Sequence, residues 1–592
     1  MRHSIATLSL SGTLPEKLQA IAAAGFDGFE LFENDLLAYP GYPGEIRRMA
    51  EDLGLTIEIF QPFRDFEGVG PEQLARNLAR AEAKFDLMEQ LGVELMLVCS
   101  NAQPGVSGDP AVVGEQLHRL AERAAARGFR VGFEALSWGS AIDRFAQAWA
   151  AVEAADHPNL GLILDSYHSL ALDDDIAPIA KLRGEKIFFL QLSDAPRESA
   201  RPPWYSRTLR SFPGLGEYDM TGFVAAALEA GYRGPLSLEM FNDEFRAAPS
   251  GPTALAARQS LLWLEERLQA DARVPTQADR PLFGPPGAAD LGGFTSLELA
   301  VPPAHRQAVE TLLGALGLVE AGRHPQAPIV RFTGEAFSVY LRETQDGGVV
   351  TLGSLGLDGV AAQALPMRLK AYGQTTRGDD ALGGRLLTTP AGLTLRLDPE
   401  GDIEARFEAV PLPKSSSRGR LRGVAFALPR SLVESEAGFW RHLMGLPAAS
   451  TGVRHEPRGV VRRRRWQSVE GGVAIDLETT SHAGTSTGRS LVPSPDLAQH
   501  GTCRELRLEV GDVVATAQRL SAAGLAVEPT PFNDYDDLIA RQAVSQRDRI
   551  LLETYALRYE QREGQDYVFL RLAVPGNPHL MLEVGEYRAF GT

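Results

Sequence analysis

Two cysteines, Cys99 and Cys503, are all that the 592-residue sequence contains. So few cysteines, in distant segments, exclude a disulfide-rich scaffold and are typical of proteins from a reducing compartment. The sequence also has no run of about twenty apolar residues, and no credible cleavage site follows its first apolar stretch, so we expect neither a membrane-spanning helix nor a signal peptide. These absences predict a cytoplasmic protein.

Basic residues are fewer than acidic ones, with 59 lysines and arginines against 76 aspartates and glutamates. The formal net charge of −17 disfavours a broad nucleic-acid-binding surface. No polybasic run lies beside an apolar segment, so we expect no membrane contact. The one basic cluster is the run of arginines at 462–465, whose side chains would alternate between the two faces of a strand. We expect these arginines on a solvated or subunit-facing edge strand.

Short apolar runs alternate with amphipathic helical patterns from the N-terminus onward. In chain order the runs read SIATLSL, DGFELF, LTIEIFQ, ELMLVCS, RVGFE, LGLILD, KIFFLQ and PLSLE. Eight strand–helix units in one domain predict an α/β TIM barrel. A doubly wound sheet is the structural alternative, but no glycine-rich phosphate turn follows the first strand, as a nucleotide-binding version would need.

The last four of these runs end in metal-compatible oxygen donors. The donors are Glu134, Asp165, Gln191 and Glu239. Each falls where a buried parallel strand reaches the rim on which barrel enzymes carry their active sites. Three carboxylates and an amide favour a hard divalent cation of the magnesium, manganese or cobalt type. We therefore predict one such metal site in the barrel, although strand ends are also polar in proteins without a metal.

Three further residues follow the predicted strands in loops at the same rim. His168 comes three residues after Asp165 and suits a ligand, an acid or a base near neutral pH, or a residue that orients a ligand. Arg64 follows the third strand and Arg210 the seventh. A guanidinium on this rim can hold a substrate carboxylate through two parallel hydrogen bonds, whereas each arginine taken alone would also suit a surface ion pair.

The βα alternation stops after the barrel, which we place at 1–272. The segment 273–290 is rich in proline, alanine and polar residues and reads as a linker. Beyond it, TSLELAVPPAHRQAVETLLGALGL, RGVAFALPRSLVESEAGFWRHLMGL and RELRLEVGDVVATAQRLSAAGL share a strand–turn–helix layout, with a weaker fourth copy. These repeats predict an α+β half made of paired βαβββ units, with one module at 291–418 and a second at 419–592.

The barrel motifs QPFRDFEG, FEALSWG, LDSYH and LQLSDA resemble those of bacterial 3-dehydroshikimate dehydratases, within the xylose isomerase-like barrels. That resemblance implies metal-dependent conversion of 3-dehydroshikimate to protocatechuate. In it, His168 is the base that removes the proton next to the ketone, and Arg64 and Arg210 bind the ring carboxylate. A sugar or hydroxy-keto acid isomerase or epimerase remains the alternative, because the same barrel and metal serve its chemistry.

The second half resembles 4-hydroxyphenylpyruvate dioxygenase, a vicinal oxygen chelate fold in which two histidines and a glutamate hold iron. In this sequence Gly423 stands at the first histidine position and Glu505 or Arg504 at the second, and only Glu583 matches. We therefore expect no iron in this half, which we interpret as structural, regulatory or a route to a homo-oligomer. A ligand-binding sensor with an inert barrel is a further alternative, which the oxygen donors disfavour.

Overall fold

The structure is a computed structural model that describes residues 1–197, 206–275, 281–288, 291–345, 348–378, 381–397, 403–410, 419–491, 500–541, 543–562 and 564–588. The chain forms two compact units, Met1–Pro285 and Pro286–Thr592. Parts of the predicted linker, and the predicted module boundary at 418, lie outside the described residues. Of the helices in the described ranges, none combines the length and apolar character that crossing a lipid bilayer requires.

Unit 1 is a closed barrel of eight parallel strands in sequence order, which confirms the predicted TIM barrel. The strands are β1 His3–Ala6, β2 Gly28–Phe32, β3 Thr56–Phe63, β4 Leu95–Cys99, β5 Arg130–Glu134, β6 Leu160–Asp165, β7 Ile187–Leu192 and β8 Leu236–Leu238. The α-helices are Leu14–Ala23, Glu33–Ala38, Pro43–Asp52, Pro71–Leu91, Pro110–Ala126, Phe145–Ala155, Ser166–Leu170, Met220–Glu229, Asp243–Ala247 and Ser250–Gln269.

The helix Pro71–Leu91 illustrates how the sequence specifies these elements. Proline at its first position has the backbone angle of a helix and needs no hydrogen-bond acceptor there. Its buried side chains recur three or four residues apart and form one apolar face against the strands. The helix ends at Gly92, whose φ of 70° is left-handed, a conformation that glycine adopts without strain.

Unit 2 contains two mixed sheets. The first has the order β14-β15-β16-β13-β9-β12-β11-β10-β17. Its strands are β9 Phe294–Val301, β10 Val319–Arg323, β11 Ile329–Thr333, β12 Ser338–Glu343, β13 Thr351–Leu357, β14 Arg377–Gly378, β15 Arg385–Thr388, β16 Thr394–Leu397 and β17 Glu408–Ala409. The helices Arg306–Ala315 and Gly359–Ala371 follow β9 and β13.

The second sheet has the order β19-β20-β21-β18-β22-β25-β24-β23. Its strands are β18 Arg420–Ala427, β19 Ala448–Glu456, β20 Gly459–Gln467, β21 Ala474–Thr479, β22 Thr502–Glu509, β23 Arg558–Arg562, β24 Gln565–Val574 and β25 Asn577–Tyr587. The helical segments are Val433–Gly438, its continuation Phe439–Leu443, Ser486–Leu491, Val513–Ala522, Phe532–Ala540 and Gln546–Thr554. In both sheets a strand, a helix and three strands repeat twice, which confirms the predicted paired βαβββ units.

The arginine run 462–465 does not lie on an edge strand, so that expectation was wrong. It lies in β20, which pairs with β19 on one side and β21 on the other. The side chains do alternate, as the strand pattern predicts: Arg465 binds Asp476, whereas Arg464 binds Glu434. Buried acidic partners, which the spacing of the arginines does not reveal, therefore hold this strand inside the sheet.

Candidate active site and metal centre

The four predicted metal ligands lie at one rim of the barrel. Glu134 ends β5, Asp165 ends β6, Gln191 lies next to the end of β7 and Glu239 directly follows β8. Because the strands are parallel, their carboxyl ends meet at the same rim, and Asp165 pairs in register with Gln191. All four side chains are buried, with residue exposures of 5% or less.

Side-chain contacts bring these residues together. Ligand atoms of Glu134, Asp165 and His168 lie within 4.8 Å of one another, a grouping found nowhere else among the described residues. Arg210 Nη1 lies 2.7 Å from Asp165 Oδ2 and 2.9 Å from Glu239 Oε2, and so links two of the predicted ligands. Gln191 is linked to the other ligands indirectly, by one hydrogen bond to Glu30, which Gln61 connects to Glu239.

The buried carboxylates of this cluster carry more negative charge than the neighbouring basic side chains neutralise. Burial and repulsion from Glu239 and Asp165 raise the pKa of Glu134, and burial raises that of Glu239 to about 7. For Asp165, burial is outweighed chiefly by Arg210, so its pKa falls. The single guanidinium of Arg210 therefore neutralises only part of the negative charge of these carboxylates. A divalent cation would neutralise the rest.

Two of the predicted ligands have a buried oxygen atom without a hydrogen-bond partner among the described residues. These atoms are Glu134 Oε1 and Gln191 Oε1. An unpaired buried acceptor is costly and calls for an explanation such as an ion. Oxygen donors from carboxylates and an amide are the ligands that hard divalent cations prefer, so these residues fit a divalent metal ion.

Glu30, which sequence reasoning missed, orients the amide of Gln191. Gln191 Nε2 donates to Glu30 Oε2 over 2.6 Å, and this contact leaves Gln191 Oε1 as the atom available to an ion. Gln61 Nε2 donates to Glu30 Oε2 over 2.8 Å and to Glu239 Oε1 over 3.1 Å. The available signal was a single glutamate inside the apolar run of β2, GFELF.

His168 lies beside the carboxylates, and its contacts with Ser137 influence which ring nitrogen carries the hydrogen. Its Nε2 is 3.4 Å from Asp165 Oδ2 and 3.9 Å from Glu134 Oε1. Burial lowers the His168 pKa to about 3, so the ring is neutral at physiological pH. The Ser137 backbone N–H donates to Nδ1 over 3.2 Å, which favours hydrogen on Nε2. In the other tautomer, Nδ1 donates to Ser137 Oγ, 3.1 Å away, and Nε2 has a lone pair that faces Arg210 Nη2 over 3.5 Å and can accept a proton.

The two predicted substrate arginines differ in their surroundings. Both line a small inner cavity together with Glu134, His168 and Glu239. Arg210 donates from Nη1 to Asp165 and Glu239 and from Nε and Nη2 to Ser206, whereas the Arg64 guanidinium makes no hydrogen bond or ion pair to any described residue. Arg64 also lines an outer cavity of about 960 Å³, which shares walls with the inner one. Arg64 is therefore the better placed of the two to receive an anionic ligand.

Comparison with known proteins gives the family. A family model described as a xylose isomerase-like TIM barrel matches residues 18–267. The 3-dehydroshikimate dehydratase of Pseudomonas aeruginosa is 42% identical over 91% of this chain and 88% of its own length. The chain belongs to the 3-dehydroshikimate dehydratase family. The corresponding protein of Pseudomonas putida is 39% identical over the same shares of both chains.

A solved structure extends the family likeness to both units. It is called a xylose isomerase-like TIM barrel/4-hydroxyphenylpyruvate dioxygenase fusion protein, and is 36% identical. The superposition has a TM-score of 0.90 and covers 100% of this chain and 97% of that one. The predicted resemblance is thus confirmed for the barrel and for the paired βαβββ half.

Proposed function

We propose that the protein dehydrates 3-dehydroshikimate to protocatechuate, as a carbon–oxygen lyase whose active site is the cluster at the barrel rim. The observation that carries this proposal is the set of converging, partly orphaned oxygen donors beside His168, in a cavity that Arg64 also lines. Membership of the dehydratase family supports the same reaction. A carboxylate substrate suits the unpaired guanidinium of Arg64.

Each residue has a role that follows from its place. Glu134, Asp165, Gln191 and Glu239 would hold the divalent cation, which would draw negative charge from the substrate ketone. His168 Nε2 takes the proton from the carbon next to that ketone, in the tautomer whose Nδ1–H donates to Ser137 Oγ. The protonated ring then returns the proton to the departing hydroxyl, so that water leaves, and a shift of one further ring proton to the ketone oxygen makes the six-membered ring aromatic.

Arg64 anchors the substrate in this proposal. Its guanidinium receives the ring carboxylate, while Arg210 supplies positive charge between Asp165 and Glu239 and supports their geometry. Arg210 also lines the inner cavity, but its three nitrogen atoms already have partners in Asp165, Glu239 and Ser206. Substrate orientation against His168 then depends chiefly on one arginine that has no competing acid.

The direct test is incubation of the purified protein with 3-dehydroshikimate and a divalent ion. We expect the ultraviolet absorbance of a catechol carboxylate to rise, with one water lost per molecule. Formation of an isomeric hydroxy-keto acid without aromatic absorbance would favour the isomerase alternative and contradict the dehydratase assignment.

Substitution of Arg64 tests the anchor in the same assay. For Arg64→Gln we expect KM to rise about tenfold or more, because a charge-assisted bond to the substrate carboxylate is lost. Arg246→Gln is the matched control, since Arg246 lines only the outer cavity. Equal KM values for the two variants would remove Arg64 from this role.

Replacing Glu30 tests the orientation of Gln191. In Glu30→Gln one carboxylate oxygen becomes an NH2 group, so the side chain can no longer accept from Ser237 Oγ while it accepts from Gln61 and Gln191, and we expect metal affinity to fall about 10- to 100-fold. Equilibrium dialysis of manganese against the pure protein measures this without any turnover. Glu58→Gln is the control, because Glu58 pairs with Arg2. Unchanged manganese affinity in Glu30→Gln would exclude the orienting role.

A further inference from the structure

A third cavity, separate in sequence from the inner and outer cavities of the barrel, is lined by strands of the second sheet of unit 2. Its volume is about 290 Å³, and its walls come from β18, β20, β21, β22, β23, β24 and β25. The charged side chains of the wall are four arginines and two glutamates, namely Arg422, Arg465, Arg507, Arg562, Glu470 and Glu509. Basic side chains therefore outnumber acidic ones among the residues that line this cavity, in a protein that is acidic as a whole.

The cavity does not fit the iron of the resembled dioxygenases. Gly423, Arg507 and Glu583 lie side by side on β18, β22 and β25. A Cβ atom on Gly423 would lie 3.5 Å from Arg507 Nη1, so a guanidinium fills the space into which a ligand side chain at 423 would extend. Only one carboxylate of the iron-binding set remains, and a guanidinium beside it repels a cation.

The buried acids near this position are already neutralised. Burial opposes ionisation of Glu505, but Arg571 and Arg507 outweigh it and lower its pKa. Glu583 is paired with Arg562 over 2.8 Å and with Arg571 over 3.1 Å. These carboxylates therefore balance guanidinium groups, and in doing so they hold the arginines of the wall in fixed orientations.

Three of the four wall arginines, Arg422, Arg465 and Arg507, keep one end of the guanidinium unused. Arg465 donates hydrogen bonds from Nε and Nη2 to Asp476. Arg507 donates from Nε to Glu505 and from Nη2 to Asp476. Arg422 binds Glu509 through Nε and Nη2. Within the described chain no acceptor faces Nη1 of these three arginines. Because Arg507 Nη1 lies next to Gly423, which also lines the cavity, this unused end points into the open volume.

Aromatic rings form the neighbouring wall. The ring centroids of Tyr567 and Tyr587 lie 5.0 Å apart, and the Arg562 guanidinium carbon is 3.9 Å from the Tyr567 centroid. Tyr567 is buried and Tyr587 is partly exposed at the cavity mouth. Such rings offer a flat apolar contact to a planar ligand, next to donors that suit a carboxylate.

We propose that this cavity binds a small ring-bearing carboxylate, which occupies by charge complementarity the place that a metal ion takes in the resembled dioxygenases. The unused ends of Arg465 and Arg507 receive the carboxylate, and Tyr567 and Tyr587 contact the ring. A volume of about 290 Å³ admits a ligand the size of benzoate or a modest extension of it. This site is independent of the barrel and of the reaction proposed there.

Fluorine NMR of 4-fluorobenzoate with the full-length protein tests the proposal. We expect saturable binding with a Kd below about 1 mM. Arg465→Gln should weaken it about tenfold or more, since one charged donor is lost while Asp476 keeps Arg507 as a partner. Ala474→Leu leaves every charge in place and fills part of the cavity, so it should weaken binding similarly.

Two controls separate this site from other sites. Arg464→Gln alters the next arginine of β20, which faces Glu434 on the other side of the sheet, and should leave affinity unchanged. Arg64→Gln alters only the barrel and should also retain the binding. The proposal is overturned if no saturable binding is seen up to about 10 mM. It is also overturned if Arg465→Gln, Ala474→Leu and the wild type bind with equal affinity. Acetate binding as tight as that of benzoate would overturn it too, because it would exclude the ring contact.

Discussion

His168→Ala is expected to lower turnover by at least about a hundredfold, the loss typical of removing a general base. The ring lines the inner cavity beside the carboxylate cluster, and burial lowers its pKa and so keeps it in the neutral form that a base requires. Stopped-flow or steady-state measurement of catechol formation gives the rate. Metal content is measured on the same sample, so that loss of the ion is not mistaken for loss of the base.

Ser137→Ala is the companion variant that distinguishes a base from a structural histidine. It removes the hydroxyl that accepts hydrogen from Nδ1 but keeps the backbone N–H that favours hydrogen on Nε2. We expect about a tenfold loss of kcat with little change in KM, as for other groups that orient a reacting side chain. If His168→Ala turned over normally with a full complement of metal, the proton would have to move through another group.

The strand ends of the barrel could be predicted from the sequence because two physical signals coincide there. A buried parallel strand must be apolar along its length, so a polar residue at its end stands out, as Glu134 does after RVGF. Strand order follows from the repeated βα units, which place every such end at one rim. Glu30 also stands out inside the apolar run of β2, but its role could not be predicted, because its polar partners come from other strands.

Charge pairing was the main property that sequence reasoning could not supply. The arginine run at 462–465 appeared suited to a solvated edge, but Asp476 on β21 lies opposite Arg465 in register and holds the strand inside the sheet. Likewise, nothing in the spacing of Arg210 indicates that its guanidinium lies between Asp165 and Glu239. Pairings of this kind depend on which residues face each other across a sheet or rim, and sequence separation does not determine that.

Removing the divalent ion is expected to reduce turnover by about three orders of magnitude, the equivalent of the several kcal/mol that a Lewis acid contributes at a developing oxyanion. Treatment with a chelator followed by gel filtration prepares the metal-free protein, and addition of magnesium or manganese should restore the rate. Glu134→Ala should resemble the metal-free protein, because Glu134 Oε1 is one of the two orphaned acceptors.

Thermal stability gives a second measure of the same site that does not require turnover. Metal-free protein keeps Glu134, Asp165 and Glu239 buried around a single guanidinium, so adding the ion should raise Tm by an amount that grows with ion concentration. That rise should vanish in Glu134→Ala and persist in His168→Ala, since only the first variant loses a predicted ligand. A chelator-treated enzyme that forms the aromatic product as fast as before, with a Tm insensitive to added ions, would contradict a metal centre at this rim and leave the convergence of its buried oxygens without a chemical role.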